Sequence, residues 1–258
     1  MRETCLVWCM PNIEPVSCTV CVPCNFGTYL LKKRRMKFYQ ILKRLLDVAF
    51  SFLLIILLLP LFLLVTVGIW LSEGHPIFYR SRRVVALNRT VPIIKFRTMV
   101  KDATSPKYRL EERFMRDGYL DIPLECEVYT PIGRLLERTQ VVELLQLFNV
   151  FLGQMSFIGN RPLPQRNLDL LGKTGVWETR FDCPAGISGI SQVVGKYGLT
   201  PKERLDLETL YAKVYQNGNV IKSDVLIFFY TLRLVLTGKS LSLEAGTTLL
   251  KQCLPSRC

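Results

Sequence analysis

Two short stretches of this sequence carry residues suited to phosphate chemistry. Lys95-Phe96-Arg97 alternates two cations around an aromatic ring, and an extended backbone would set both cations on one face. Glu137, Arg138, Glu143 and Arg161 place carboxylates beside guanidiniums. A carboxylate can hold Mg2+, and a guanidinium can grip a phosphate through two parallel hydrogen bonds. By spacing alone the same residues also suit a solvated helix face or a basic strand edge. A Ser–His–Asp or Cys–His arrangement is not supported. His75 is the single histidine, and its place at the end of an apolar run suits a structural or interfacial role. Cys18, Cys21 and Cys24 have the spacing of metal ligands, but no histidine or second cysteine pair accompanies them.

The elements that must position these residues can be read from pattern. Pro76–Tyr79 and Val91–Ile94 are β-rich, with a turn at Leu87-Asn88-Arg89. Lys101 to Asp121 is charged and reads as helix or loop. A helix starts at Thr130, a good N-cap, with Pro131 in its first turn. Leu135, Leu136, Val142, Leu145 and Leu147 give it an apolar stripe, Thr139-Gln140 is a candidate break, and Gly153 a candidate end. Gly159-Asn160-Arg161-Pro162 reads as a loop. Pro184 to Gln192 reads as a glycine-rich loop able to pack around a ligand, without the spacing of a Walker A motif. Pro201 to Tyr215 forms a charged amphipathic helix, and Ser223 to Leu236 a more apolar one that suits a membrane interface.

The apolar residues decide the class. The chain has 258 residues, a formal net charge of +13 and 49% hydrophobic residues, which several classes share. Between Asp47 and Glu73, however, Val48 to Ser72 holds no charge. As helix it is about 37 Å long at about 1.5 Å per residue, enough for a bilayer core of about 30 Å. Basic residues flank both sides: Lys32 to Lys37, Lys43 and Arg44 before it, and Arg80, Arg82, Arg83, Arg89, Lys95 and Arg97 after it. Positive charge marks the cytoplasmic side, and Pro60 interrupts the helix backbone. The expectation is therefore a re-entrant hairpin broken at Pro60, entering and leaving by one face. The expected fold class is α+β, mostly helical, membrane-associated, with a proline-broken re-entrant helix and interfacial amphipathic helices. The expected organisation is a cysteine-rich extension over 1–35, disordered or from an upstream start; the re-entrant helix over 36–73; a cytosolic domain over 74–238; and a tail over 239–258.

Taken in order, KRLLDVAFSF, the proline-containing apolar run, PIFYRSRRV, KFRTM, TPIGRLLERT, VELLQLFNVFLGQMSFIGNRP and PAGISGISQVVG resemble one family over roughly Met36 to Gly238. It is the bacterial sugar transferases, small monotopic polyprenyl-phosphate phosphoglycosyl transferases. The resemblance implies an enzyme on the cytoplasmic face of the bacterial inner membrane. It would move a sugar-1-phosphate from a nucleotide diphosphate sugar to polyprenyl phosphate and release a nucleoside monophosphate. That step initiates exopolysaccharide, capsule or O-antigen synthesis. The implied partners are these two substrates and membrane lipids, with Mg2+ as cofactor and no nucleic acid.

The family's catalytic pair is a nucleophilic Asp followed by a Mg2+-holding Glu. Glu143 matches the Glu, whereas Val142 stands in place of the Asp and Leu145 in place of a usual Pro. Glu137 stands where an Arg is common, with Arg138 beside it, and Gly159-Asn160-Arg161-Pro162 keeps the anion-binding Arg. Val85 replaces an expected Gly and Leu59 a Ser before the membrane proline. The resemblance thus implies Glu143 and Glu137 as catalytic residues, Arg161, Arg138, Lys95 and Arg97 as phosphate binders, Glu143 as metal ligand and Pro60 as the membrane break. Attack by Glu143, by Glu137 or by the acceptor phosphate itself all remain open. A catalytically silent scaffold or regulator of glycan assembly is the alternative, and a membrane-anchored basic binding protein a third reading.

Overall fold

The computed structural model describes residues 26–255 apart from 117–118, 174, 196–197 and 218. The chain divides into two units, Met1–Arg35 and Met36–Cys258. The cysteine-rich stretch Cys5 to Cys24 lies outside the described residues. Helix α1 (Phe26–Glu73) leads into an antiparallel hairpin of β1 (Phe78–Ala86) and β2 (Arg89–Phe96). Asn88 makes the hairpin turn with a φ of 59°, a conformation asparagine tolerates well. A small excursion follows, with α2 (Leu110–Phe114), β3 (Met115–Arg116) and β4 (Tyr119–Leu120). Then come α3 (Pro131–Arg138), a 3₁₀ turn over Val141–Glu143 and α4 (Gln146–Phe151). β5 (Ser156–Ile158) pairs in parallel with β6 (Gly186–Ser188), and α5 (Gln165–Gly172) lies between them in sequence. The chain closes with α6 (Ile190–Gly195), α7 (Pro201–Asn217), α8 (Val220–Thr237) and α9 (Leu243–Lys251). The described part is α+β and mostly helical.

α3 and α4 follow their local signals. The Thr130 hydroxyl accepts from the Gly133 N–H at 3.0 Å, capping a helix whose first residue is Pro131. Thr139 returns its own hydroxyl to the Leu135 carbonyl at 2.8 Å, and Gln140 turns to a φ of 58°. Those two residues divide α3 from the 3₁₀ turn, as their types predict.

α1 presents two different faces. Lys43, Asp47 and Ser51, then Phe62, Val65 and Ile69, are buried at helical spacing. Phe62 packs against Phe96 and Phe148 with ring centroids 6.2 Å apart in each case. The opposite face leaves Leu53, Leu57, Leu64 and Leu71 60–74% exposed. Of its most apolar stretch only 22% is buried, so α1 is not the core helix of a soluble fold. The protein is membrane-associated. The helix runs on through Pro60, which corrects the expectation of a break there. Proline removes one N–H and leaves the Ile56 carbonyl without its helical partner. Leucine-rich turns favour helix on both sides, and the domain clamps α1 before and after the proline.

That clamping is specific. Lys43 donates to the Asp224 carboxylate of α8 at 2.5 Å and to the Ile158 carbonyl at 2.9 Å. Arg44 donates to the Val150 and Met155 carbonyls. Asp47 accepts from the Ser156 hydroxyl at 2.7 Å and the Phe157 N–H at 3.2 Å. At the far end, Arg97 donates to the Glu73 and Gly74 carbonyls at 2.9 and 3.1 Å.

The largest core lies among α6 to α9, around Ile190, Val193, Tyr211, Val214, Ile227 and Leu250. Residues 239–258, expected as a tail, contribute α9 to it. Ser242 caps α9 through the Ala245 N–H, Leu249 and Leu250 are buried, and Gly246 lies against Val194. Leu249, Leu250 and Cys253, with Gly246 allowing close approach, dock a segment whose composition is largely polar.

Candidate active site

Glu143 stands at the centre of the site. Arg161 grips both its oxygens, Nη2 to Oε1 at 2.5 Å and Nη1 to Oε2 at 3.2 Å, and Lys95 Nζ lies 3.3 Å from Oε1. Glu143 is 12% exposed and each of the two cations 20%. A third cation, Arg83, belongs to the group. On the hairpin Tyr79 faces Lys95 and Arg83 faces Val91, so strand alternation puts Arg83 and Lys95 on one side of the ribbon. Arg83 donates to the Ser81 hydroxyl at 2.9 Å. Burial lowers the Arg83 pKa and Arg161 lowers it further, while Tyr79 and Glu143 act the other way. Burial likewise lowers the Lys95 pKa; Glu143 and, more weakly, Glu137 oppose the shift, and Arg161 and Arg83 add to it. Three cations therefore share one central carboxylate in a partly desolvated space. The surplus positive charge suits polyanionic phosphate.

The backbone around Arg161 is held by interlocking glycines. A Cβ on Gly159 would lie 2.2 Å from the Pro184 carbonyl oxygen, and one on Gly189 would lie 2.0 Å from the Gly159 oxygen. The glycine-rich loop packs against the loop that carries Arg161, and its Ile187, Ser188 and Gln192 line the cavity. Behind them a buried pair, Arg180 and Glu208, meets at 2.8 Å. Arg180 also donates to the Arg161 carbonyl at 2.7 Å, and Asn160 donates to the Arg180 and Glu208 carbonyls. Arg161 is thus carried on a backbone fixed from three directions.

Glu137 and Arg138, at the end of α3, line the same cavity as Glu143 and Arg161. The Glu137 carboxylate accepts from the Thr98 hydroxyl at 3.1 Å. α3 can lie on that segment because residue 133 is glycine: a Cβ there would stand 1.9 Å from the Thr98 oxygen. Arg97 is placed elsewhere. β2 ends at Phe96, and the unsatisfied last carbonyls of α1 take the Arg97 guanidinium, so the expected pairing of Lys95 with Arg97 on one anion-binding face is corrected. Arg83 is the residue that the sequence reading missed; its signal was the alternation across a longer hairpin. Val142 is 1% exposed and packs among Phe62, Val65, Phe96, Leu136 and Leu145, facing the core.

The cavity has a volume of about 830 Å³. Its polar wall includes Asp121, Glu137, Arg138, Glu143 and Arg161, and its apolar wall includes Leu54 and Leu58 of α1 with Phe228, Leu234 and Val235 of α8. Among the described residues no cluster of three Asp, Glu, His or Cys stands ready to hold a metal unaided. Mg2+ bound beside phosphates needs only one or two carboxylates. Glu143 and Glu137 on one cavity wall fit an ion whose remaining ligands come from substrate.

A cation-rich cavity beside a largely exposed apolar helix is the arrangement of a membrane-associated protein. Residues 38–238 match the family described as bacterial sugar transferase, and the chain belongs to that family as a phosphoglycosyl transferase. It is 30% identical over 198 residues to the exopolysaccharide production protein ExoY of Sinorhizobium fredii, covering 72% of this chain and 82% of that protein. It is 31% identical to the UDP-N-acetylgalactosamine-undecaprenyl-phosphate N-acetylgalactosaminephosphotransferase of Aeromonas hydrophila, over 78% of this chain and 45% of that protein. It is 30% identical to the undecaprenyl-phosphate glucose phosphotransferase of Komagataeibacter xylinus, over 90% of this chain and 41% of that protein. The chain thus spans most of the ExoY protein and under half of the latter two. Relatives are named as transferases, and the silent-scaffold reading finds no support in them.

Proposed function

We propose that this chain moves a sugar-1-phosphate from a nucleotide diphosphate sugar to polyprenyl phosphate at the cytoplasmic face of the bacterial inner membrane, initiating a cell-surface glycan. The observation that carries this reading is the junction of two walls in one cavity. Arg161 and Arg138 on the charged wall, with Lys95 pairing to Glu143 beside it, suit a diphosphate, while Leu54, Leu58, Phe228 and Val235 on the other wall suit the first units of an isoprenoid chain. Relatives named for undecaprenyl phosphate support the same pairing of substrates. Glu143, with Glu137 near it, would hold Mg2+ when the ion arrives with substrate. Such an ion would supply charge neutralisation at the phosphates. Arg83, Lys95 and Arg161 orient the diphosphate and stabilise charge on the departing nucleoside monophosphate.

α1 is the anchor. Its stretches before and after the uncharged run are tied to the same domain, which supports placing both at one membrane face. The test of function is release of nucleoside monophosphate from a panel of nucleotide sugars by the purified full-length protein with Mg2+. Release that requires undecaprenyl phosphate is expected. No release across a broad panel, with the lipid present, would sink the proposal.

A further inference from the structure

The site raises the question of which atom attacks the donor. Position 142, where the resemblance puts a nucleophilic carboxylate, holds a valine that is 1% exposed and turned into an apolar cluster. Glu143 has both oxygens engaged, by two Arg161 nitrogens and by Lys95. A carboxylate holding three charge-assisted hydrogen bonds is a weakened nucleophile, because most of its lone-pair density is directed at protons, although one acceptor position is left for a metal ion. Glu137 accepts from Thr98 at the cavity wall, and Asp121, just after β4, lines the same cavity but stands outside the Arg161–Lys95–Glu143 group of charges. Against this, the site offers three cations to one central carboxylate, and a cavity of about 830 Å³ whose apolar wall adjoins the charged one. The surplus charge and the space suit two phosphates held together.

We propose that this chain transfers the phosphosugar directly, an oxygen of the bound polyprenyl phosphate attacking the β-phosphorus of the donor with no phosphosugar–protein intermediate. The proposal rests on the function proposed above. A phosphate monoester has a second pKa of about 6, so its dianion attacks without a general base. One bond forms, from the acceptor oxygen to the β-phosphorus. One breaks, from the β-phosphorus to the bridging oxygen, and that electron pair leaves on the nucleoside monophosphate. No proton need move. Arg83, Lys95 and Arg161 hold the phosphates against mutual repulsion, and alignment of the two supplies the rate advantage of proximity.

The experiment uses the full-length protein in nanodiscs of defined phospholipid, free of polyprenyl phosphate. A panel of nucleotide sugars headed by UDP-glucose, UDP-galactose and UDP-N-acetylgalactosamine is tested with and without undecaprenyl phosphate. For each donor that turns over, three quantities are followed without the acceptor: release of UMP, exchange of labelled UMP into the nucleotide sugar, and intact protein mass after quenching. Direct transfer gives no UMP, no exchange and no mass gain until the acceptor is added, and intersecting double-reciprocal plots once it is. Acceptor-independent exchange, or a protein heavier by one phosphosugar, overturns direct transfer whichever carboxylate is labelled, Asp121 and Glu137 of the cavity wall included. Absence of turnover for every donor with the acceptor present overturns the proposed function, and direct transfer with it. The two failures are told apart by whether product forms.

Discussion

At the scale of single residues, Glu143 matters as much for what it restrains as for what it binds. It holds Arg161 and Lys95 in place before a substrate arrives, and Arg83 completes a group with surplus positive charge. Replacing Arg83 by Ala should weaken binding of a nucleoside diphosphate, with UDP as the probe, about 10- to 150-fold, the loss of about 1.5–3 kcal/mol expected for hydrogen bonding to a charged group. Titration calorimetry with UDP reads this directly, and Arg82→Ala, an exposed neighbour, serves as the control. Lys95 makes a prediction in pH. Its folded pKa is lowered, chiefly by burial, so it loses its proton below the ordinary lysine range. UDP affinity should therefore fall as pH rises through that lowered value, and Lys95→Arg should remove the fall. The stability term has the opposite sign. Within the window between the lowered pKa and the ordinary one, the unfolded chain binds more protons, so this residue's contribution to stability rises with pH. Loss of UDP binding that tracks unfolding would refute the assignment. Much of this site was legible as residue types: Glu143, Arg161 and Lys95 meet as their chemistry suggests. Arg97 was misplaced because alternation was extended past the end of β2, where α1 carbonyls claimed it. Arg83 was missed because the strand was read too short.

At the scale of elements, two devices set the position of the site. The first is the interlock of the loops bearing Gly159 and Gly186 to Gly189. Gly159→Ala would push a methyl into the Pro184 carbonyl, and should cost about 1–3 kcal/mol by overpacking. Transfer activity should drop further than stability does, because Arg161 is two residues away; denaturant melts compared with UMP release would show it. Equal losses would mean that the loop serves folding alone. The second device is the Lys43–Asp224 bridge between α1 and α8, with side chains 5% and 13% exposed. Burial raises the Asp224 pKa even though Lys43 opposes the shift, so the carboxylate depends on its partner to stay charged. Lys43→Ala should destabilise the fold by about 3–5 kcal/mol, and adding Asp224→Asn should recover part of the loss. No recovery in the double variant would show that Lys43 acts through the Ile158 carbonyl alone. These elements differ in how far the sequence revealed them. α3 and α4 carry their own cap, break and end, so local chemistry decided them. The run through Pro60 and the docking of α9 depend on distant partners, Phe96 and Phe148 in one case and Val194 in the other, which no local pattern contains.

At the scale of the whole folded unit, the apolar surface is continuous in character over three helices. α1 exposes Leu57 and Leu71, α8 exposes Phe229 and Leu236, and Phe52 of α1 stacks on Phe151 of α4 with centroids 5.9 Å apart. Water would have to solvate all of it, at roughly 25 cal/mol for each Å² left exposed, so lipid is the stable surrounding. The direction in which α1 meets that lipid follows from its tethers. Arg44 and Asp47, ahead of its uncharged run, bond to α4, β5 and the loop between them, and Glu73 at its end accepts from Arg97 of the same unit. A helix crossing the bilayer from side to side would have to break one set, leaving buried Asp47 or Arg97 unpaired at a cost of about 1–3 kcal/mol or more each. Both flanks should therefore face one aqueous compartment. The check is labelling in sealed right-side-out and inverted vesicles with a membrane-impermeant maleimide, after the nine native cysteines are replaced by serine. Single cysteines at Lys37 and His75, both exposed, should react together in the inverted vesicles and neither in the right-side-out ones. Reaction of the two positions from opposite sides would mean that α1 spans the membrane. The tethers at one of its ends would then have to be open in the bilayer.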